Sequence, residues 1–201
     1  MKQYYEARAR EYDEWYLGEG KFAARERPGW EQDVAALARA LAGLAPARTL
    51  DVACGTGFLT RYLPGTITAL DQSERMVAIT RERLPGATVV CGEALALPFD
   101  DGAFERVVTA HFYGHLSAAE REQFLVQAWR VSVELVVVDS ARRPDHDAEE
   151  WQLRVLNDGS SFQVYKRYFD AAALAAELGG GSIVYEGPWF VAVSARSPVA
   201  R

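Results

Sequence analysis

Two short stretches of the chain carry residue types that can do chemistry. In Leu50-Asp51-Val52-Ala53-Cys54-Gly55-Thr56-Gly57-Phe58-Leu59 an apolar strand breaks into a glycine loop and a helix start. Glycines at such a break let the backbone approach a ligand closely, and the first turn of a helix offers unpaired N–H groups at its positive end. This is the pattern of a nucleotide-type pocket. The second stretch, His111-Phe112-Tyr113-Gly114-His115, holds an imidazole that can take a proton from a hydroxyl or thiol near neutral pH. The alternative for His111 is a structural one, ordering its loop through backbone hydrogen bonds. His111 and His115 have the spacing of helical zinc ligands, but Gly114 and a strand-end position oppose that reading, and no metal is expected.

The elements that must position these groups are legible as strands. Thr66-Ile67-Thr68-Ala69-Leu70 is β-branched and runs into Asp71, an acid at the tip of a second strand, where a ribose diol is hydrogen-bonded in open α/β sheets. Asp71 also reads as a helix cap, since Gln72-Ser73 precedes an amphipathic helix with Met76, Val77, Thr80 and Leu84 on one side. A third strand, Ala87 to Cys91, leads into Gly92-Glu93-Ala94 and Leu97-Pro98-Phe99, and a fourth spans Phe104 to Ala110. Glu93 is equally readable as a solvated loop charge. The fourth strand ends at His111, and ligands of such sheets bind outside the strand ends, beside the His111 loop.

Taken together, these blocks resemble the class I S-adenosylmethionine-dependent methyltransferases, in the small-molecule branch similar to the ubiquinone and menaquinone biosynthetic enzymes. The family's loop reads acid-x-Gly-x-Gly-x-Gly, which falls on Asp51, Ala53, Gly55 and Gly57. Ala53 replaces the first glycine, a mild departure provided its backbone keeps a negative φ. The resemblance implies S-adenosylmethionine as cofactor, with Gly55 and Gly57 against its methionyl part and Asp71 on the ribose hydroxyls. It implies Glu93 on the adenine amino group, a backbone N–H from Ala94, and Met76 on the adenine face. It places Gln72 and Ala110 beside the same cofactor, and Tyr12-Asp13 resembles the family's Tyr-Asp element ahead of the cofactor domain. The implied fold is a Rossmann-like, doubly wound, mostly parallel seven-stranded α/β sheet that ends in an antiparallel hairpin strand.

The rival is a nicotinamide-binding oxidoreductase domain. Its fingerprint needs Gly-x-Gly-x-x-Gly, and here Thr60 stands at the third glycine. A catalytically silent S-adenosylmethionine-binding protein also stays open. The Asn/Asp-Pro-Pro-Tyr tetrad of amino-methylating enzymes acting on DNA bases or glutamine is replaced by Thr109-Ala110-His111-Phe112, which disfavours that chemistry.

A chain of 201 residues with 49% apolar content is long enough for one full core, so a single domain over 1–201 is expected. The start lacks a secretory apolar region and no apolar run is long enough to cross a bilayer, so a soluble, cytoplasmic protein is expected. Two cysteines, Cys54 and Cys91, are too few for a disulfide scaffold and read as reduced packing residues. The net charge of −6 argues for a small-molecule substrate and against nucleic acid or membrane as partner.

Helical spacing over Asp33 to Leu44, a capping box at Ser117-Ala118-Ala119-Glu120 and a continuous apolar strand at Leu135 to Val138 complete the outline. Asp170 caps a further helix that ends at Gly179-Gly180-Gly181, and Ser182–Tyr185 and Trp189–Ala195 read as an antiparallel pair. Two regions fall outside this plan. Residues 1–30, dense in Tyr and Trp, read either as core aromatics or as a lid over cofactor and substrate. Residues 140–169, with Trp151, Phe162, Tyr165 and Tyr168, read as the opposite, substrate-side wall. An acceptor held between them is expected to be small and partly aromatic or apolar, with His111 nearest the reacting atom.

Overall fold

A computed structural model describes residues 1–197; the expected domain span of 1–201 includes 198–201, which lie outside the described residues. The chain opens with two short helices, α1 (Lys2–Arg8) and α2 (Glu14–Leu17), followed by α3 (Trp30–Ala42) and the strands β1 (Ala47–Val52) and β2 (Gly65–Asp71). Then come α4 (Glu74–Arg83), β3 (Thr88–Cys91), β4 (Arg106–Ala110), α5 (Ala118–Val131) and β5 (Glu134–Ser140). A hairpin, β6 (Glu149–Val155) and β7 (Ser161–Arg167), precedes α6 (Ala171–Glu177), β8 (Gly181–Glu186) and β9 (Phe190–Arg196).

Seven strands form one sheet in the order β3-β2-β1-β4-β5-β9-β8. Pairs from β3 through β5 are parallel, and β9 lies antiparallel to both β5 and β8. The order reverses between β1 and β4, so the loops after these strands diverge and leave a crevice at their carboxyl ends. Apolar residues on both faces make the middle of the sheet the core. Val107, Leu135 and Val137 face Phe124 of α5 and Leu174 of α6, while Val108, Val136 and Val138 face Leu37 and Leu41 of α3. The strand period of two sends alternate valines to opposite layers, which is why β5 reads as an unbroken apolar run.

Several boundaries differ from the sequence expectation, each for a local reason. The capping box at Ser117 and Glu120 is formed, with both reciprocal hydrogen bonds. The helix expected from Asp33 begins at Trp30, and Asp33 is drawn inward to accept the Trp189 N–H at 3.0 Å and the Tyr185 hydroxyl. Asp170 precedes α6 without a side-chain cap, its carboxylate facing Arg142 at 3.5 Å instead. β4 starts at Arg106 because the Phe104 N–H is taken by the Val131 carbonyl. Cys91 is exposed rather than a packing residue, whereas Cys54 is buried.

The amino-terminal segment contributes side chains to two packed clusters. Tyr16 stacks on Phe58 with centroids 4.1 Å apart and belongs to the layer under α3. Tyr4 joins Leu156 and Val164 in a separate small cluster that fastens α1 to the β6–β7 hairpin. That hairpin was not legible as strands because its apolar pattern is inverted: Trp151, Leu153 and Val155 are exposed, while Gln152 and Arg154 turn toward Tyr168 and Tyr4.

Candidate active site

The glycine loop after β1 is tied to β2 by Asp71, whose Oδ2 accepts the Gly55 N–H and whose Oδ1 accepts the Ser73 N–H, each at 2.9 Å. Asp71 is therefore no helix cap; that role falls to Ser73, whose hydroxyl accepts the Met76 N–H at 3.2 Å. Burial raises the Asp71 carboxyl above its ordinary range, and the two backbone donors oppose the rise. Gly55 adopts φ 58°, and a Cβ there would lie 3.3 Å from the Tyr12 ring, so the missing side chain is what lets Tyr12 lean on the loop. Asp13 anchors that arrangement: it accepts from the Thr56 hydroxyl and pairs with Arg83, both at 2.5 Å.

Ala53 does not keep a negative φ; it sits at +58°, the left-handed region where its family counterpart is glycine. The loop has kept the glycine conformation while losing the glycine, at a cost of about 1 kcal/mol.

A cavity of about 260 Å³ opens at this loop. Of the residues expected around a cofactor, Tyr12, Ala53, Gly55, Asp71, Gln72, Glu93, Ala94 and Ala110 all line it. Three do not. Met76, expected on an adenine face, is fully buried under α4. Gly57, at φ 73°, packs against Thr80 of α4 and Leu84 just after it, whose atoms lie 3.2 Å from where its Cβ would be. Asp51 stands behind the loop, its Oδ2 accepting from the Thr60 hydroxyl at 2.6 Å and its Oδ1 buried without a partner. Burial raises Asp51 to about 7, with the nearby Asp71 charge adding to the rise. An unsatisfied buried carboxylate oxygen behind a glycine loop fits a ligand that brings a donor or a cation.

His111 closes the crevice from the β4 side. It too has positive φ, 54°, and its buried ring is surrounded by Trp15, Tyr16 and Phe190, with centroids 4.9 to 5.8 Å away. Neither ring nitrogen has a hydrogen-bond partner, and Nδ1 lies 3.9 Å from Asp139 Oδ1. Burial depresses its pKa to about 3, with the Lys166, Arg8 and Arg154 charges acting the same way and Asp139 opposing, so the ring is neutral near pH 7. His115 is also neutral by burial; its Nδ1–H donates to the Tyr165 carbonyl at 2.6 Å.

A second cavity, of about 820 Å³, lies between residues 1–30 and the β6–β7 hairpin. Tyr5, Tyr12, His111 and His115 line both cavities, so these four side chains form the wall the two have in common. Sequence reasoning missed Arg8, Arg154 and Lys166 here, because their approach to His111 depends on how α1 and the hairpin fold over the sheet.

The comparisons agree with this geometry. Residues 50–134 match the profile of the methyltransferase domain family. The phthiotriol/phenolphthiotriol dimycocerosates methyltransferase 1 of Mycobacterium ulcerans is 35% identical over 115 residues, 52% of this chain and 41% of that protein. A demethylmenaquinone methyltransferase of Shouchella clausii is 32% identical over 119 residues, 54% of this chain and 48% of that protein. The chain thus spans about half the length of the curated relatives it matches. Among solved structures, the DhpI-SAM-HEP complex is 25% identical with a TM-score of 0.74, covering 97% of this chain and 95% of that one. The DhpI-SAH complex is 27% identical with a TM-score of 0.72, covering 98% and 95%. The antiparallel β9, the glycine loop with its β2 acid and the match at 50–134 converge: the chain has the class I methyltransferase fold, and residues 50–134 carry the methyltransferase domain.

Proposed function

We propose that the chain transfers a methyl group from S-adenosylmethionine in the smaller cavity to a small molecule in the larger one. The observation that carries this is the shared wall of Tyr5, Tyr12, His111 and His115 between a glycine-loop cavity and a roomy second one. The similarity to DhpI, solved with SAM and with SAH, supports the choice of cofactor. When bound, that cofactor supplies a methyl group on a cationic sulfur that departs as a neutral thioether.

The residues present fit it. Asp71 and Glu93 line the smaller cavity and are acceptors for ribose and adenine groups. Tyr5 and Tyr12 line both cavities, and aromatic rings beside a sulfonium stabilise it through the ring quadrupole. Residues 1–30 act as a cap that excludes water from the junction, and His111, a neutral ring in the wall common to both cavities, orients the acceptor. We place this activity in the cytoplasm and on small molecules rather than nucleic acid, in keeping with free cysteines and a net charge of −6.

Incubation with S-adenosylmethionine and bacterial small-molecule extracts tests the reading. Extract-dependent formation of S-adenosylhomocysteine is expected. Binding of NAD(H) with no S-adenosylmethionine binding would sink it, and cofactor binding without turnover on any extract would leave the silent binder.

A further inference from the structure

The larger cavity has an electrostatic character opposite to that of the chain around it. The protein carries a net charge of −6, yet seven Lys and Arg line this cavity against two glutamates, Glu11 and Glu26. Some of these cations are neutralised locally: Lys166 pairs with Asp139, and Arg143 with Asp145 at 2.7 Å. Of the other five, Lys21 and Arg25 are exposed, and Arg27 donates to the Trp15 carbonyl at 2.8 Å while lying over the Trp30 ring. Arg8 and Arg154 remain. Arg8, on α1, is 8% exposed, and Arg154, on β6, is half-buried; neither has a carboxylate within ion-pair distance among the described residues. Both converge on one atom, the Tyr4 hydroxyl oxygen, which accepts from Arg8 Nη1 at 2.7 Å and from Arg154 Nη1 at 3.2 Å.

This convergence is built rather than incidental. Gln152 Oε1 accepts from Arg154 Nε at 3.1 Å and Nη2 at 2.9 Å, and Gln152 is itself held by its donation to Tyr168 at 2.7 Å. Arg8 lies over the Tyr12 ring, 4.9 Å from its centroid, which keeps the guanidinium at the shared wall of the two cavities. With its oxygen occupied by two guanidinium donors, the Tyr4 hydroxyl has its own proton left to give. Burying two guanidiniums side by side without an acid is costly unless an anion completes the set. Planar N–H forks with an adjacent hydroxyl donor suit an oxyanion, which can accept several such bonds at once.

We infer that the acceptor is a small acid whose oxyanion head group, carboxylate or phosphoryl, is held by Arg8 and Arg154 with the Tyr4 hydroxyl, beside His111. This rests on the methyltransferase reading for the word acceptor, but the anion site stands on these side chains alone. It adds to the expectation of a small, partly aromatic or apolar acceptor: the aromatic residues form the walls, and the cations hold the head group. The same charges help to depress His111, which places them within electrostatic reach of the ring.

Titration calorimetry of the 201-residue chain at constant ionic strength in a chloride buffer tests the inference, with inorganic phosphate in one arm and acetate in the other. Saturable binding of one anion is expected, and which arm binds identifies a phosphoryl or a carboxylate head group. Arg8→Gln and Arg154→Gln should each weaken that binding about tenfold or more, as loss of one charge-assisted contact does, with S-adenosylhomocysteine affinity within about twofold of the parent. No saturable binding in either arm, or equal binding in both variants, overturns the inference. A second measurement avoids any folding defect in the variants: phosphate or acetate should slow phenylglyoxal modification of Arg154 in the unaltered chain while exposed Arg10 reacts at the same rate. Unchanged Arg154 reactivity also overturns it. Anion binding with no S-adenosylhomocysteine binding in the unaltered chain would leave the anion site standing and remove the methyltransferase reading.

Discussion

Asp71 Oδ2 lies 2.9 Å from the Gly55 nitrogen, so the acid at the tip of β2 holds the glycine loop after β1 in shape with no ligand present. One carboxylate thus serves the loop and faces the cavity. Asp71→Ala should weaken S-adenosylmethionine binding by about 1.5–3 kcal/mol and also lower stability, because two buried backbone N–H groups lose their acceptor. Asp71→Asn, which keeps an acceptor oxygen, should recover most of the stability and only part of the affinity. Paired calorimetry and denaturant unfolding separate the two effects; loss of affinity with full stability in the alanine variant would show that the loop holds its shape without Asp71.

Ala53 at φ +58° carries a strain that glycine does not. Ala53→Gly should raise stability by roughly 0.5–1 kcal/mol, the relief of left-handed strain exceeding the added unfolded-chain entropy. Urea unfolding checks this, and a fall in stability would show that the Ala53 methyl contributes packing worth more than the strain.

Asp51 makes stability depend on pH in a defined window. Its pKa is raised from 3.8 to about 7, so between those values the folded chain holds a proton that the unfolded chain releases. The contribution is fully present below about pH 4 and is lost as pH rises through 7. Asp51→Asn should therefore be stabilising by roughly 1–3 kcal/mol at pH 8 and near neutral at pH 4. Unfolding curves at the two pH values decide it; an equal effect at both would mean that Asp51 is not protonated in the fold.

His111 is expected to act as a neutral ring. Its pKa of about 3 means that no His111 titration breaks the free-enzyme kcat/KM profile between pH 5 and 8. Its contribution to stability is complete above about pH 6.5 and lost as pH falls toward 3, because the unfolded imidazole takes up a proton that the buried one refuses. His111→Asn, a side chain that tolerates the positive φ, should lower kcat on the order of a hundredfold with little change in S-adenosylhomocysteine affinity. Near-normal turnover would reassign His111 to holding the loop.

The sequence by itself determined the sheet and the cofactor side of the crevice. Val108, Val136 and the glycine loop lie inside or at the ends of strands whose pairing follows from local apolar runs and turns, so periodicity alone exposes them. Asp71 was legible for the same reason, standing where a β-branched strand stops. Tertiary structure alone decided the acceptor side. Tyr4, Arg8 and Arg154 come from segments far apart in the chain, and β6 hides its strand character because its inward face is polar. An inward polar face contradicts the rule by which strands are recognised, and it does so here because that face looks onto a cavity rather than a core. Even the backbone of Ala53 belonged to the second category. Its residue type argued for negative φ, and the hydrogen bonds around the loop, from the Cys54 N–H to the Leu70 carbonyl and from the Gly55 N–H to Asp71, impose the positive one.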